Sequence, residues 1–120
     1  MIIGKINALM SLVPTAEYQL KGDGTLVWMD KSITEPTSTA IDAEVARLTN
    51  AEPMRLLRIE RNIRLTACDW TQSRDLTLSN DDDWKTYRQA LRDLPSKANP
   101  TLNTYGSLEM SSVTFPTEPS

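Results

Sequence analysis

The chain has 120 residues, of which 39% are hydrophobic and 24% are charged, and its net charge is −3 at pH 7. These values are typical of an ordinary globular domain. The acidic balance argues against a general attraction to nucleic acid or to anionic membranes. No apolar run approaches the ~18 residues of a membrane-spanning helix, and the start of the chain lacks the features of a signal peptide. Cys68 is the only cysteine, so no internal disulfide is possible.

The beginning of the chain predicts a short helix followed by a β-hairpin. Apolar residues recur at helical spacing before Pro14, which ends the pattern. The predicted buried face of this helix consists of Ile2, Ile6, Leu9 and Val13. Two strand-like runs, Ala16–Leu20 and Thr25–Met29, flank a Lys-Gly-Asp-Gly turn. A two-stranded hairpin is marginal alone, so we expect its Tyr18 and Trp28 face to pack on a helix.

The middle of the chain predicts further helices. Thr37 or Ser38 is expected to cap the first of them. A break or kink is expected at Asn50–Pro53, because proline removes a backbone donor from a helix interior. A second helix is predicted over Met54–Trp70, where apolar residues step by three and four. Its predicted buried face consists of Leu56, Leu57, Ile59, Ile63, Ala67 and Trp70.

The next helix has an explicit predicted start and stop. Ser79 is expected to be its N-cap, with Asp82 completing a capping box. Three aspartates, 81–83, place negative charge at the positive end of the helix dipole, and Pro95 is expected to end the helix. Its predicted buried face consists of Trp84, Tyr87, Leu91 and Leu94. Since the loop before this helix is short, the two helices should form an antiparallel hairpin.

The composition of the sequence changes after Pro95. Prolines and polar residues punctuate them, so we expect an extended segment lying against the body. The sequence therefore predicts a mainly helical α+β fold with three regions. These are a helix–hairpin unit at 1–36, a helical region containing the helical hairpin at 37–95, and an extended C-terminal tail at 96–120.

The residues of catalytic and metal sites are mostly missing. The chain has no histidine, and one cysteine cannot form a thiolate metal site. The Gly22–Gly24 turn lacks the lysine and the spacing of a phosphate-binding loop. Successive helical side chains diverge by about 100°, so the aspartates 81–83 cannot converge on one cation. We expect no catalytic residue, no cofactor, no metal and no enzymatic activity, with protein contact as the default role.

Two other features allow alternative interpretations. A basic stripe is formed by Arg55, Arg58, Arg61 and Arg64. Such a stripe can contact phosphates or an acidic partner, but a solvated face paired with Glu52, Glu60 and Asp69 is the favoured interpretation. Cys68 is expected to be a buried small side chain and not a reactive thiol.

The run from Arg61 to Pro95 resembles the phage tail assembly chaperone-like family. The matching features are Arg61-Asn62, Asp69-Trp70-Thr71-Gln72, Leu78-Ser79, Trp84 and Tyr87–Asp93. The family usually closes with a Trp-Pro element, and Phe115-Pro116 stands in its place here. The first fifty residues are also similar to the N-terminal part of small phage tail proteins of this type.

This resemblance implies a non-enzymatic phage protein that assists the assembly of tail or tail-fibre components. Its partner would be a phage tail or tail-fibre protein, with no nucleic acid or membrane partner, and it would act in the host cytoplasm during assembly. The alternative is a permanent component of the virion tail, such as an adaptor or a fibre-bound subunit. Loops carry binding more often than buried helix faces do. The predicted contact residues are Trp70, Thr71, Gln72, Arg74, Val113, Phe115 and Pro116.

Overall fold

The computed structural model describes residues 2–120, over which it has three α-helices, one antiparallel two-stranded sheet and two 3₁₀ turns. The helices are α1 (Lys5–Leu12), α2 (Ser38–Ala67) and α3 (Asp81–Lys97), the strands are β1 (Tyr18–Leu20) and β2 (Leu26–Trp28), and the turns are Asp69–Gln72 and Met110–Ser112. The predicted mainly helical α+β fold is confirmed. The chain divides into two compact units, Met1–Ala51 and Glu52–Ser120.

The core of the first unit joins the hairpin to two helices. Ala8 and Leu9 of α1 and Ile41 of α2 are buried together. The side chains packed against them are Val13, Tyr18, Leu20, Leu26 and Val45. Tyr18 packs on the helices as expected, whereas Trp28 stacks on Tyr18 at 6.0 Å between ring centroids and donates to the Ile33 carbonyl.

The hairpin turn uses the backbone freedom of one glycine. β1 and β2 pair with Tyr18 opposite Trp28 and Leu20 opposite Leu26, which makes both strands shorter than predicted. Gly24 has φ of 92°, a conformation that glycine adopts without a steric penalty. Its amide donates to the carbonyl of Lys21 at 2.9 Å, which closes the predicted turn.

The predicted buried face of α1 is wrong at two positions. Ile2 precedes the helix, and Ile6 is 43% exposed. The helix begins only after Gly4, whose amide donates to the Asn7 side chain at 2.9 Å. Because the start is shifted, Ala8 and Leu9 face the core, and the small Ala8 lets the helix approach its neighbours closely.

The carboxylate of Glu44 is buried and satisfied within the first unit. It accepts hydrogen bonds from the Arg47 guanidinium and from the Ser11 hydroxyl. These bonds lower the pKa of Glu44 from 4.5 to about 2. The folded state therefore stabilises the charged form of the Glu44 carboxyl, which joins α1 to α2.

Helix α2 begins as expected and then continues past the predicted break. Thr37 caps it, since its hydroxyl accepts from the Ala40 amide at 3.0 Å. The first alternative expected at Asn50–Pro53, a break, is wrong, because α2 is one helix with Pro53 inside it, and the second alternative, a kink, stays a prediction. A proline removes only one donor from the helix. Leu57, one turn farther along the helix, is fully buried, and burial of its apolar side chain favours the continued helix.

The second unit is held by α3 packed on one face of α2. Leu57 of α2 packs with Leu94 of α3, while Cys68 near the other end of α2 packs with Trp84 and Tyr87. Residue numbers rise along α2 as they fall along α3, so the predicted antiparallel helical hairpin is confirmed. Cys68 is 2% exposed, as expected for a buried small side chain.

The face of α2 that packs on α3 is not the predicted one. Leu57 is fully buried, but four of the predicted buried residues are exposed: Ile59, Ile63, Ala67 and Trp70. The buried stripe instead runs through Leu57, Leu65 and Cys68. Both stripes recur at helical spacing, so periodicity alone cannot choose between them.

The buried face of α3 is confirmed, whereas its predicted ends are wrong. The four predicted core residues, Trp84, Tyr87, Leu91 and Leu94, are all buried. Asn80, not Ser79, is at the N-cap, and its side chain makes no capping hydrogen bond. Leu78 packs into the core just before this point, which moves the start of the helix past Ser79. Pro95 lies inside α3, where proline removes only one backbone donor from the helix. The hydrogen bond from the Ala98 amide to the Leu94 carbonyl still forms at 3.0 Å.

We expect Leu91→Ala to lower the free energy of unfolding by about 2–5 kcal/mol, because it leaves a cavity in a closed core. Urea denaturation followed by circular dichroism measures this loss. Ile63→Ala is the matched control on the exposed face of α2, and we expect it to change stability by less than about 0.5 kcal/mol. Equal losses in both variants would contradict the assignment of the two faces.

The lowered pKa of Glu44 predicts a pH-dependent contribution to stability. A depressed carboxyl pKa stabilises the fold above the unfolded value of 4.5, and this contribution is lost as the pH falls toward about 2. The stability difference between wild type and Glu44→Gln should therefore be full near neutral pH and shrink below pH 4.5. Ser11→Ala removes one donor only and should give a smaller difference. A difference that does not change between pH 7 and pH 3 would refute the linkage.

Candidate interaction surface

The loop after α2 is fixed by a buried hydroxyl. The side chain of Thr71 donates to the carbonyl of Cys68 at 2.7 Å and accepts from the amide of the Gln72 side chain at 2.9 Å. Thr71 is 3% exposed, so its hydroxyl is available only to these neighbours. The 3₁₀ turn Asp69–Gln72 is therefore locally rigid, although it begins an irregular loop.

Arg88 of α3 ties this turn to the helical hairpin. One of its guanidinium nitrogens donates to the Leu65 carbonyl and to the Cys68 sulfur, each at 3.0 Å. The other terminal nitrogen pairs with the Asp69 carboxylate at 3.0 Å. The Arg88 side chain is 14% exposed, and a partly buried charged hydrogen bond is stronger than a neutral one. A single side chain thus holds the end of α2 and the start of the loop.

Trp70 is presented to solvent on a rigid aromatic base. Its side chain is 54% exposed, yet its ring meets Trp84 edge to face, with centroids 5.7 Å apart. Trp84 in turn meets Tyr87 at 5.8 Å and 82°. Exposed aromatic groups that are held in one orientation lose little entropy when a partner covers them. This geometry is typical of a contact anchor.

The C-terminal residues 113–120 form a strap along α3. Val113 is buried with Leu57 and Leu94, and the Arg64 guanidinium lies 4.0 Å above the Phe115 ring. At the far end of the strap, the Asn80 side chain donates to the Ser120 carbonyl at 3.2 Å. The strap therefore runs antiparallel to α3, from the C-terminal part of that helix to its start.

The middle of the strap lies beside Tyr87. Burial raises the pKa of the Tyr87 hydroxyl, and the nearby Glu118 carboxylate raises it further. Farther back along the strap, an open cleft of about 440 Å³ separates it from α3. Phe115 and Pro116 line one wall of this cleft, and Ala90 and Leu94 line the other. The cleft thus has apolar side chains on two walls and is open to a side chain of another molecule.

The predicted contact residues fall into three groups of different accessibility. The exposed members are Trp70, Gln72 and Arg74, the half-buried ones are Phe115 and Pro116, and the buried ones are Thr71 and Val113. Trp70 packs on the first turn of α3, and the strap returns to Asn80 at the start of that helix. Sequence reasoning missed Arg88 and Asn80, whose roles depend on long-range contacts and carry no local signal.

Two of the four arginines of the stripe form ion pairs within the second unit. Arg55 binds Glu52 through two nitrogens, which lowers the pKa of that carboxyl, and Arg64 pairs with Glu60 at 3.1 Å. These two pairings were predicted. The expected pairing of the stripe with Asp69 is wrong, because Asp69 binds Arg88. Arg88 lies on α3 and faces the end of α2, and this position explains why Asp69 pairs with Arg88 and not with an arginine of the stripe.

Residues 2–120 contain neither a metal-binding cluster nor a membrane-spanning helix. No group of three Cys, Asp or Glu side chains in this range is arranged to hold a metal ion. No helix in the same range has the length and apolarity needed to cross a membrane.

These features define a mainly helical α+β protein with an exposed aromatic anchor beside a strapped helical hairpin. A family model for phage tail assembly chaperone proteins matches residues 54–120, more than half of the chain. The chain belongs to the phage tail assembly chaperone family, as the resemblance in the sequence implied. The match covers most of the second unit, including the loop and the strap. No curated protein and no solved structure matches the chain significantly.

We expect Arg88→Met to destabilise the second unit by about 1–3 kcal/mol, because the carbonyl of Leu65 and the turn lose their charged donor. Methionine keeps most of the apolar stem. Arg92→Met, one turn along the same helix, is the control, since the Arg92 side chain bonds only to the exposed Gln89. Urea midpoints measure both changes. An Arg88→Met protein as stable as Arg92→Met would show that the loop does not depend on this side chain.

Proposed function

We propose that this chaperone acts without catalysis, by binding a phage tail or tail-fibre protein through its own surface. The observation that carries the proposal is Trp70, a tryptophan more than half exposed on a fixed aromatic base. Tryptophan is enriched among the residues that dominate binding energy at protein interfaces. A tryptophan that served only to stabilise the fold would be expected to bury more of its side chain.

The proposed contact surface extends from Trp70 along the loop and onto the strap. Gln72 and Arg74 are exposed next to Trp70 and provide polar rim contacts. Thr71 and Val113 act from beneath the surface, by fixing the turn and the base of the strap. Phe115 and Pro116 offer the apolar edge of the open cleft.

The absence of catalysis in this proposal rests on the kinds of side chain present. The chain has no histidine, which is the commonest general base. The first acidic residue of α3, Asp81, is paired with Lys85 at 3.2 Å. The polar contacts of Arg88 and Glu44 hold helices together. We expect no ATP hydrolysis by the purified protein, and measurable hydrolysis would contradict this part of the proposal.

The proposed place of action is the host cytoplasm during particle assembly. An assembly factor that is released should be missing from washed, purified particles. Stoichiometric recovery of the protein in such particles would instead identify a permanent tail component. Quantitative mass spectrometry of particles purified by density gradient distinguishes these two fates.

The surface is tested by a pull-down from infected cells with a tagged protein. We expect the Trp70→Ala, Phe115→Ala double variant to recover at least about tenfold less tail protein, because hot-spot truncations cost ~2 kcal/mol or more. Trp70→Ala alone should reproduce most of this loss. The yield of infectious particles should fall in parallel with recovery.

The matched control is Tyr105→Ala, which removes an aromatic side chain that is 82% exposed outside the proposed surface. It should recover the tail protein as wild type does. Urea midpoints confirm that each variant is folded. Undiminished recovery by folded Trp70→Ala and by the double variant would refute this placement of the binding surface.

A further inference from the structure

The open cleft between α3 and the strap has the size and the lining of a binding site. Its volume is about 440 Å³, and sites for small molecules commonly measure ~300–1,000 Å³. Ala90, Leu94 and Ala98 line it on the α3 side, and Phe115 and Pro116 line it on the strap side. We call this space the strap cleft. Its two walls are apolar, so the group that enters it must be apolar as well.

The walls of the strap cleft suit a flat ring. Two of the three apolar residues on the α3 side are alanines, whose side chains are single methyl groups. The strap side is made of a phenyl ring and a proline ring. The phenyl ring of Phe115 is held by Arg64, whose guanidinium lies 4.0 Å from its centroid. Aromatic side chains pack well against such rings, either stacked or edge to face.

The strap wall can adjust to the size of the ring that enters. The Val113 amide donates to the Met110 carbonyl at 3.3 Å, and beyond it no strap amide donates to a backbone carbonyl within residues 2–120. Side chains hold the strap instead, through Arg64 on Phe115 and through Asn80 on the last carbonyl. A small outward shift of the strap therefore breaks no backbone ladder.

One cation and no anion lines the strap cleft. Lys97 is the only charged residue among the described residues of the lining. Its ammonium forms no ion pair within residues 2–120. Asp93, four residues earlier on α3, is where a helical ion pair with Lys97 would form. That carboxylate instead accepts from the Gln89 side chain at 2.9 Å, so the charge of Lys97 is left for a ligand.

The end of α3 does not cancel this charge. The last carbonyls of a helix lack helical partners and carry about half a negative charge together. The full positive charge of Lys97 outweighs that amount. A carboxylate beside the bound ring would therefore be attracted to the rim of the strap cleft.

We propose that the strap cleft binds an aromatic side chain of the tail protein that has an acidic residue next to it in the chain. The ring lies between the alanines of α3 and the strap, and the carboxylate pairs with Lys97. The inference deepens the proposed function and rests on it for the source of the side chain. Each partner then contributes one anchor, because Trp70 reaches out to the tail protein and the strap cleft receives a ring from it.

The ligand chemistry is tested with two small probes, phenylpropionate and its neutral amide, on the isotope-labelled full chain. Nuclear magnetic resonance follows the backbone amide signals of Ala90, Leu94 and Ala98. We expect saturable shifts with both probes and dissociation constants on the order of millimolar, as for ligands of this size. The acid should bind about threefold more tightly than the amide, because only the acid pairs with Lys97. The net charge of −3 favours the neutral amide, so a preference for the acid reports a local positive charge.

The role of Lys97 is tested by two substitutions at this exposed position. Lys97→Met should remove the preference for the acid, and Lys97→Glu should reverse it. Lys85→Met is the matched control, since Lys85 lies at the start of α3 and pairs with Asp81 at 3.2 Å. It should keep the preference of wild type. The inference is overturned if neither probe gives saturable shifts at the three residues, or if a preference for the acid survives Lys97→Met.

The source of the ring is tested in the pull-down from infected cells. Lys97→Met keeps Trp70 and should recover about threefold less tail protein than wild type, whereas Lys85→Met should recover as much as wild type. Equal recovery by wild type and Lys97→Met would overturn the inference and leave the proposed function standing. The proposed surface fails on a different result, which is undiminished recovery by Trp70→Ala and by the double variant.

Discussion

The packing of α3 on the Leu57–Cys68 face of α2 is the interaction on which the second unit depends. Together with Val113 of the strap, this packing buries the four core residues of α3, which are Trp84, Tyr87, Leu91 and Leu94. Three consequences follow from this one contact. Trp84 becomes the base on which Trp70 stands, Arg88 comes within reach of the end of α2, and the strap gains a surface to lie along.

The polar contacts of the second unit refine this packing and do not replace it. Arg88 satisfies a carbonyl and a carboxylate at a point where α2 ends and the chain must turn. Arg64 joins α2 to the strap, since it pairs with Glu60 on its own helix and covers the Phe115 ring of the strap. Charged groups in such half-buried places give geometric specificity more than net stability. They hold the loop and the strap in one arrangement.

The proposed tail-protein surface has one dominant exposed anchor. Trp70 is 54% exposed, whereas Phe115 and Pro116 of the strap are half-buried. We propose that such a surface makes a reversible contact, since small interfaces are typical of transient complexes.

The sequence by itself determined α1, the hairpin with its glycine turn, the start of α2 at its cap, and the buried face of α3. Local chemistry suffices there, because caps, turns and a single apolar stripe act over a few residues. It also placed the exposed Trp70 in the candidate site, since an aromatic at the end of a helix beside a loop is visible in the sequence.

The tertiary structure decided the rest. Pro53 and Pro95 lie inside helices that continue past them with one backbone donor missing, and Asn80, not Ser79, takes the N-cap position next to the packed Leu78. The sequence likewise could not place Thr71 and Val113 beneath the surface, nor find Arg88. Above all, α2 has two apolar stripes of equal periodicity. Which stripe is buried depends on the shape of α3 and on the polar contacts that α3 makes with α2. No pattern within α2 itself contains that information.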